Sequence, residues 1–191
     1  MIHQIKTNRK LIPYLCKEIE DEGMAVEIDD TLAEEKYAVI KVDAFYNGLH
    51  LSIVPKSIDF LVAVDCECHA YLLYLIELKN VKNPKFLIMK DIHEKFENTI
   101  RDFLTERFGE IFLNDKYKYK DIRLYLVSDA YGLKGRFQNF AQYQALSEKI
   151  NKRDSLKIEL ALGGKLYKFK NKVVKIQYEL PPNPVIRRIC T

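Results

Sequence analysis

The sequence predicts one α/β domain built on a mixed β-sheet with antiparallel strands, flanked by helices on both faces. The chain has 191 residues, of which 48% are hydrophobic and 12% aromatic, enough for a full core. Two almost wholly apolar runs, 57–64 and 71–80, are separated by the polar segment DCECHA and indicate paired strands buried on both sides. A long amphipathic segment then predicts a helix packed on that sheet.

The other elements follow from local patterns. Apolar residues at four-residue spacing indicate helices, and β-rich runs around Gly, Asn or Pro indicate strands and turns. In chain order, the predicted elements are a helix over 10–22 ended by Gly23, a β-hairpin over 36–54 turning at Asn47-Gly48, strands over 57–64 and 71–80, a helix over 84–108 capped by Asn83, a strand over 122–128 and a helix over 137–150.

Charge divides the chain unevenly. Residues 1–110 carry 14 basic and 20 acidic side chains, a net charge of −6, whereas residues 111–191 carry 17 and 7, a net charge of +10. We expect an α/β core over 1–130 and, over 131–191, a basic helix and β extension of the same domain, with short strands turning at 163–164 and near 171–172. The basic part suggests a nucleic-acid partner, and a solvated basic face is the alternative.

Other features indicate a soluble cytoplasmic protein without a membrane partner. No apolar run reaches the roughly 18–20 residues that cross a bilayer, and the N-terminus becomes charged too early for a signal peptide. The four cysteines, too few for a secreted disulfide scaffold, are expected to be reduced.

Three charged side chains interrupt the two apolar strands: Asp59 in the first, and Glu77 and Lys79 in the second. Side chains alternate along a strand, and a hairpin centred on Cys68 would place Asp59 opposite Glu77. Opposed residues have Cβ atoms about 4.5–5.5 Å apart, so two buried carboxylates repel unless a proton or a cation lies between them. We therefore predict a divalent cation such as Mg²⁺ at this pair.

Lys79 lies two residues beyond Glu77 and points to the same side of the strand. Its ammonium could hold an attacking water or a phosphate oxygen and stabilise charge that develops during hydrolysis. An acid two residues before a lysine is a weak pattern, which Glu34-Glu35-Lys36 repeats. The alternative is a solvated Glu77 and Lys79 pair, with Asp59 bonded to loop amides.

This order of elements and residues resembles the PD-(D/E)XK nuclease superfamily, in which an Asp on one strand precedes Glu-x-Lys on the next. The resemblance covers about residues 10–128 and implies a restriction-endonuclease-like core, with a helix before the sheet, and a helix and a further strand after the Glu-x-Lys strand. It implies Asp59 and Glu77 as ligands of Mg²⁺, which Mn²⁺ can replace, the Leu78 carbonyl as another ligand, and Lys79 as the catalytic lysine. The sequence departs from the family pattern at the proline, because the nearest one before Asp59 is Pro55.

Weaker candidates surround this motif. Glu18 or Glu22 on the first predicted helix could join the metal site, as an acid there does in some members of the superfamily, or could be solvated. The CECH segment, 66–69, has zinc-ligand residue types without a second cluster, which favours a polar turn. Lys168, Lys170 and Lys172 would share one strand face, either to bind nucleic-acid phosphates or to protect a strand edge.

The sequence therefore predicts a Mg²⁺-dependent nuclease that hydrolyses DNA phosphodiester bonds. Size and resemblance favour a restriction-type endonuclease or a junction resolvase, acting as a homodimer. The alternative is a non-catalytic interaction or nucleic-acid-binding module that retains the nuclease fold. RNA as the substrate stays open.

Overall fold

The chain is described here from a computed structural model, for residues 1–134, 136, 141–142, 144–146, 155–181 and 183–188. The strands are β1 (Leu15–Cys16), β2 (Ile19–Asp21), β3 (Met24–Ile28), β4 (Tyr37–Lys41), β5 (Phe60–Asp65), β6 (Ala70–Lys79), β7 (Lys118–Ser128), β8 (Tyr167–Phe169), β9 (Lys172–Val174), β10 (Ile176–Glu179) and β11 (Val185–Ile186).

The α-helices are α1 (Ile2–Thr7), α2 (Val42–Gly48), α3 (Met89–Asn98), α4 (Gly109–Phe112) and α5 (Ser155–Gly163). A π-helix, Thr99–Arg107, continues α3 directly. Short 3-10 helices span Ile12–Tyr14, Glu34–Lys36 and Pro84–Phe86.

The principal sheet has the strand order β1-β4-β5-β6-β7-β10. Strands β1, β4, β5 and β6 pair antiparallel, whereas β7 joins β6, and β10 joins β7, in parallel. A parallel pair needs a long crossover, and α3 with its π-helical continuation lies within the one between β6 and β7. The predicted mixed sheet with antiparallel strands is confirmed.

Strands β5 and β6 form in the predicted register. Phe60 lies opposite Ile76, and Asp65 lies opposite Tyr71. Leu61 faces one apolar cluster and Val62 the other, so that the pair is buried on both sides. Continuing this register by one residue brings Asp59 beside Glu77.

The two faces of the sheet are covered differently. Helices cover one face, where Ile5 of α1, Phe45 of α2 and Phe96 of α3 are buried in one cluster. A three-stranded sheet of order β11-β3-β2 covers the other face and contributes Val26 and Ile186 to the second cluster. In the described part of the chain, the prediction of helices on both faces is therefore wrong.

The long predicted helix is confirmed over residues 89–107, whereas its predicted start at residue 84 is a separate 3-10 helix. The Asn83 side chain accepts a hydrogen bond from the Lys85 amide, 3.0 Å away, at the start of the segment, although α3 itself begins at Met89. The predicted apolar face is buried throughout, and it comprises Ile92, Phe96, Ile100, Phe103, Leu104 and Phe108.

The predicted first helix is wrong. Leu11 packs in the cluster on the helical face of the sheet, whereas Ile19 packs in the cluster on the opposite face, which one helical stripe could not do. Glu22 and Gly23, with φ of 49° and 76°, form the tight turn that joins β2 to β3. Two positive φ angles suit a two-residue hairpin, so Gly23 serves a turn rather than a helix end.

The predicted hairpin at Asn47-Gly48 is also wrong. These two residues end α2, which follows β4 directly. A Cβ on Gly48 would collide with the Tyr14 hydroxyl and force that side chain to move, so the glycine allows close packing here and does not form a turn.

Three short strands were predicted in the C-terminal part, and two of them are confirmed. Strands β8 and β9 form a hairpin, and β10 is built into the principal sheet beside β7. The first predicted strand is instead α5, because Ile158 and Leu162, four residues apart, are buried while Leu160 between them is 66% exposed. The predicted helix over 137–150 lies mostly outside the described residues.

Candidate metal centre

Asp59 lies immediately before β5 and is fixed by backbone bonds on both sides. Its amide donates to the Ile76 carbonyl at 3.1 Å, and its carbonyl accepts from the Val42 amide at 2.9 Å. Its own Oδ2 accepts from the Leu78 amide at 2.7 Å. The buried carboxylate is thus held at the end of β4, β5 and β6.

Glu77 is completely buried on β6, and two lysines reach it. Its Oε1 lies 2.9 Å from Lys79 Nζ and 2.6 Å from Lys95 Nζ. Lys95 Nζ also lies 3.6 Å from Asp59 Oδ1. An ammonium from α3 therefore contacts both carboxylates of the pair at which the sequence predicts a divalent cation.

Burial and the neighbouring charges shift the pKa values of Glu77 and Lys79. Burial and the neighbouring Asp59 raise the pKa of Glu77 to about 7, against the opposing effect of Lys95 and Lys79. Burial opposes the charge on Lys79, but the Glu77 carboxylate outweighs it and raises the pKa of Lys79. Glu77 Oε2 is buried and has no hydrogen-bond partner among the described residues, so it can accept a bond from a water or a ligand.

A second group of carboxylates meets Asp59 from its other side. One carboxylate oxygen from each of Asp21, Asp43 and Asp59 lies within 4.8 Å of the others, and we call these residues the aspartate triad. Asp21 ends β2 and Asp43 lies in the first turn of α2, so three separate segments supply the three acids. Three carboxylate oxygens that lie this close together could hold a metal ion.

Asp43 gives the triad an unsatisfied ligand atom. Its Oδ1 is buried and lacks a hydrogen-bond partner in the described ranges. Burial raises the pKa of Asp43, and Asp59 and Asp21 add to the shift, while the Ala44 amide opposes it. A cation would satisfy the oxygen and remove the repulsion between the acids.

The structure brings together Asp59, Glu77 and Lys79 as the sequence predicts. It places Glu18 before β2 and Glu22 in the tight turn, not on a helix, and neither belongs to the triad. The sequence left open that one of them joins the site from a first helix, and this route does not exist because residues 10–22 do not form that helix.

Three contributors were missed: Asp21, Asp43 and Lys95. Asp43 lies two residues beyond β4, and β4 pairs with β5 so that Lys41 faces Phe60. Continuing that register places Val42 opposite Asp59, so Asp43 comes close to Asp59 as the next residue, where the chain enters α2. Lys95 lies on the amphipathic helix α3, where charged residues usually face solvent, so no signal in the sequence pointed to it. Asp21 left no signal either, because its strand was mistaken for a helix.

A cavity of about 350 Å³ opens beside the two lysines of the site. Three ammonium-bearing side chains line it among apolar residues, and the lining consists of Lys56, Lys79, Phe86, Leu87, Ile88, Asp91, Ile92 and Lys95. Lys56 is already paired with Asp91 and Glu94, at 3.0 and 2.9 Å. Lys79 and Lys95 therefore connect the carboxylates with an open space next to them.

Comparison with known proteins adds no identity to this geometry. No family model, curated protein or solved structure matches the chain. Across the described ranges, no helix is long and apolar enough to cross a membrane.

The three lysines of the basic tail do not share one strand face as predicted. Lys168 lies exposed in β8, Lys172 begins β9, and Lys170 lies in the turn between them with a φ of 49°. Lys170 donates to the carbonyls of Asn114 and Tyr117, at 2.9 and 3.3 Å. A role for these lysines in nucleic-acid binding stays a prediction.

The CECH segment is a turn, and its Glu67, Cys68 and His69 all have positive φ. Cys66 is disulfide-bonded, whereas Cys16 and Cys68 carry free thiols. The expectation of reduced cysteines is wrong for Cys66.

Proposed function

We propose that this protein is a divalent-metal-dependent nuclease that hydrolyses phosphodiester bonds of DNA. The observation that carries the proposal is the meeting of the aspartate triad with two lysine ammoniums at one end of the sheet. Carboxylates that hold a hard cation, next to cations of the chain itself, form an arrangement suited to a phosphate group.

The order of elements supports the same proposal. The resemblance to the PD-(D/E)XK superfamily implies a helix before the sheet, an Asp strand, a Glu-x-Lys strand, a helix and a further strand. Residues 10–22 do not form the expected first helix, but α1 precedes the sheet just before them. Asp59 leads into β5, Glu77 and Lys79 lie at the end of β6, and α3 and β7 follow. A restriction-endonuclease-like core is the finer fold assignment that we propose on this basis.

The triad residues fit a divalent ion, with Asp43 Oδ1 as an unsatisfied oxygen and Asp59 as the fixed centre. Bound there, Mg²⁺ or Mn²⁺ would polarise the phosphate and lower the pKa of a coordinated water. This assignment differs from the sequence prediction, in which Glu77 and the Leu78 carbonyl complete the ligand set with Asp59.

The remaining residues have roles that follow from their contacts. Lys79 is partly exposed at the rim of the cavity and is held by Glu77, so its ammonium can donate to the attacking water or to a phosphate oxygen. Glu77 fixes both lysines through one oxygen. Water attacks phosphorus in line and gives up a proton to solvent, while the bond to the leaving oxygen breaks and that oxygen takes a proton from solvent. The lysines stabilise the negative charge that develops on the phosphate.

Cleavage of supercoiled plasmid, linear duplex, branched DNA and RNA by purified protein would test the proposal. We expect cleavage of DNA only with Mg²⁺ or Mn²⁺ and its loss in a folded Asp43→Asn variant. The products would separate restriction-like cutting from junction resolution. Absence of cleavage of every substrate, with no divalent ion bound, would overturn the nuclease proposal in favour of a binding module.

A further inference from the structure

Lys95 is a half-buried cation at the centre of the site. Its side chain is 19% exposed, although lysines are seldom buried without a partner. It contacts both carboxylates of the predicted metal pair, at 2.6 Å to Glu77 and 3.6 Å to Asp59. It therefore occupies the place where the sequence predicts a divalent ion.

The helix around Lys95 holds it there. Thr99 is completely buried, its hydroxyl donates to the Lys95 carbonyl at 2.8 Å, and its oxygen accepts from the Ile58 amide at 3.2 Å. One side chain thus joins the backbone of Lys95 to the residue before Asp59. The ammonium and the carboxylate that it contacts are fixed to a common support.

The formal charges of the site fit a single divalent ion. The triad and Glu77 supply four carboxylates, and Lys79 and Lys95 supply two ammoniums, which leaves a net charge of −2 when all are ionised. Lys41, whose ammonium lies over the Phe60 ring, acts on Asp43 from outside this group. One Mg²⁺ or Mn²⁺ balances the group, whereas a second would repel the lysines.

We propose that Lys95 takes the place of a second divalent ion, so that the site holds one ion, at the aspartate triad. The inference rests on the proposed metal site and deepens it. Lys95 acts as a positioning residue because it fixes Glu77 and Asp59 and keeps a further cation out of the space between them. Removing the ammonium while keeping the length of the side chain should open that space to a second ion.

Calorimetric titration with Mn²⁺ alone, at about pH 8 and without nucleic acid, tests this. We expect one ion per chain for the wild type, two for Lys95→Met, and one for Lys95→Arg, which restores the charge. Circular dichroism and thermal unfolding would establish that each variant is folded. Two ions on the wild type, or one on both wild type and Lys95→Met, would overturn the proposal.

The same titration separates this inference from the metal site on which it rests. A wild type that binds no ion, with one ion gained by Lys95→Met, would contradict the triad as a metal site while supporting the role of Lys95. A wild type and a Lys95→Met variant that each bind one ion, lost in Asp43→Asn, would support the triad and contradict the role of Lys95.

Discussion

The two sides of Asp59 deal with buried negative charge in different ways. On one side, Glu77 is completely buried and contacts two ammoniums, from Lys79 and Lys95. On the other, the partly exposed Asp21 and Asp43 approach Asp59, and no salt bridge to either is found among the described residues. Lysines of the chain itself neutralise the negative charge on the Glu77 side. The side with Asp21 and Asp43 can take up a cation from solvent.

The difference follows from burial. A fully buried carboxylate such as Glu77 needs a permanent counter-charge, because desolvation penalises the ion strongly. Asp21 and Asp43 are partly exposed, so water solvates their charge and no permanent counter-charge from the chain is needed. An exchangeable cation can then bind to them. Asp59 belongs to both sides and couples them, so that changes at this residue should have the largest effect.

Asp59→Asn would remove the residue that both sides share. We expect a loss of cleavage on the order of 10³-fold, because one ligand of the cation and its electrostatic stabilisation disappear together. Calorimetry should show Mn²⁺ binding lost as well. Asp65→Asn, at the other end of β5, is the matched control and should keep both properties; retained Mn²⁺ binding in Asp59→Asn would contradict the triad.

Lys79→Gln would change only the neutralised side. Loss of one cation near the reacting phosphate should lower the cleavage rate by about 10²–10³-fold while Mn²⁺ still binds. Lys36→Gln is the control, since Lys36 ends the second acid-x-Lys pattern and pairs with Asp65 at 3.5 Å instead. Equal losses in the two variants would show that Lys79 has no special role.

Thr99→Val would weaken the support common to Lys95 and Asp59. The Ile58 amide would lose its acceptor in a buried place, at a cost of about 1–3 kcal/mol in the free energy of unfolding. Chemical denaturation measures this cost. Thr99→Ser keeps the hydroxyl and should lose less stability; a greater loss for Thr99→Ser than for Thr99→Val would show that methyl packing dominates.

Glu179 is a half-buried acid outside the site and serves for comparison. Of the substitutions considered, Glu179→Gln should have the smallest effect on stability and none on cleavage. Burial raises the pKa of Glu179, and nearby Arg123 opposes the shift. A raised folded-state pKa favours the protonated form, so its contribution to stability is present below the unfolded pKa and is lost as pH rises. The melting temperature of Glu179→Gln, relative to wild type, should therefore rise as the pH rises above 4.5, the ordinary pKa of a glutamate; a fall in this direction would contradict the assignment.

The β5 and β6 pair could be predicted because alternation and a short polar turn fix both faces and register. Phe60 lies opposite Ile76 as predicted, and this alone brings Asp59 to Glu77. The long helix was equally predictable, since its stripe from Ile92 to Phe108 is buried in one cluster. Strong local periodicity and burial agree in these elements.

The missed parts depend on tertiary contacts that local pattern does not contain. Gly23 and Gly48 suggest a helix end and a hairpin turn, but serve a hairpin turn and close packing against Tyr14. Both errors hid acids of the site, because Asp21 lies beside the first glycine and Asp43 lies in the helix that ends at the second. Lys95 was missed because charged helix residues usually face solvent.

The most direct test of the metal site is calorimetric titration of Mn²⁺ into wild type, Asp43→Asn and Glu77→Gln. The account predicts one ion on the wild type, no binding in Asp43→Asn, and binding retained in Glu77→Gln, because only the first variant removes a triad oxygen. Binding that is lost in Glu77→Gln and retained in Asp43→Asn would contradict it and place the ion between Asp59 and Glu77.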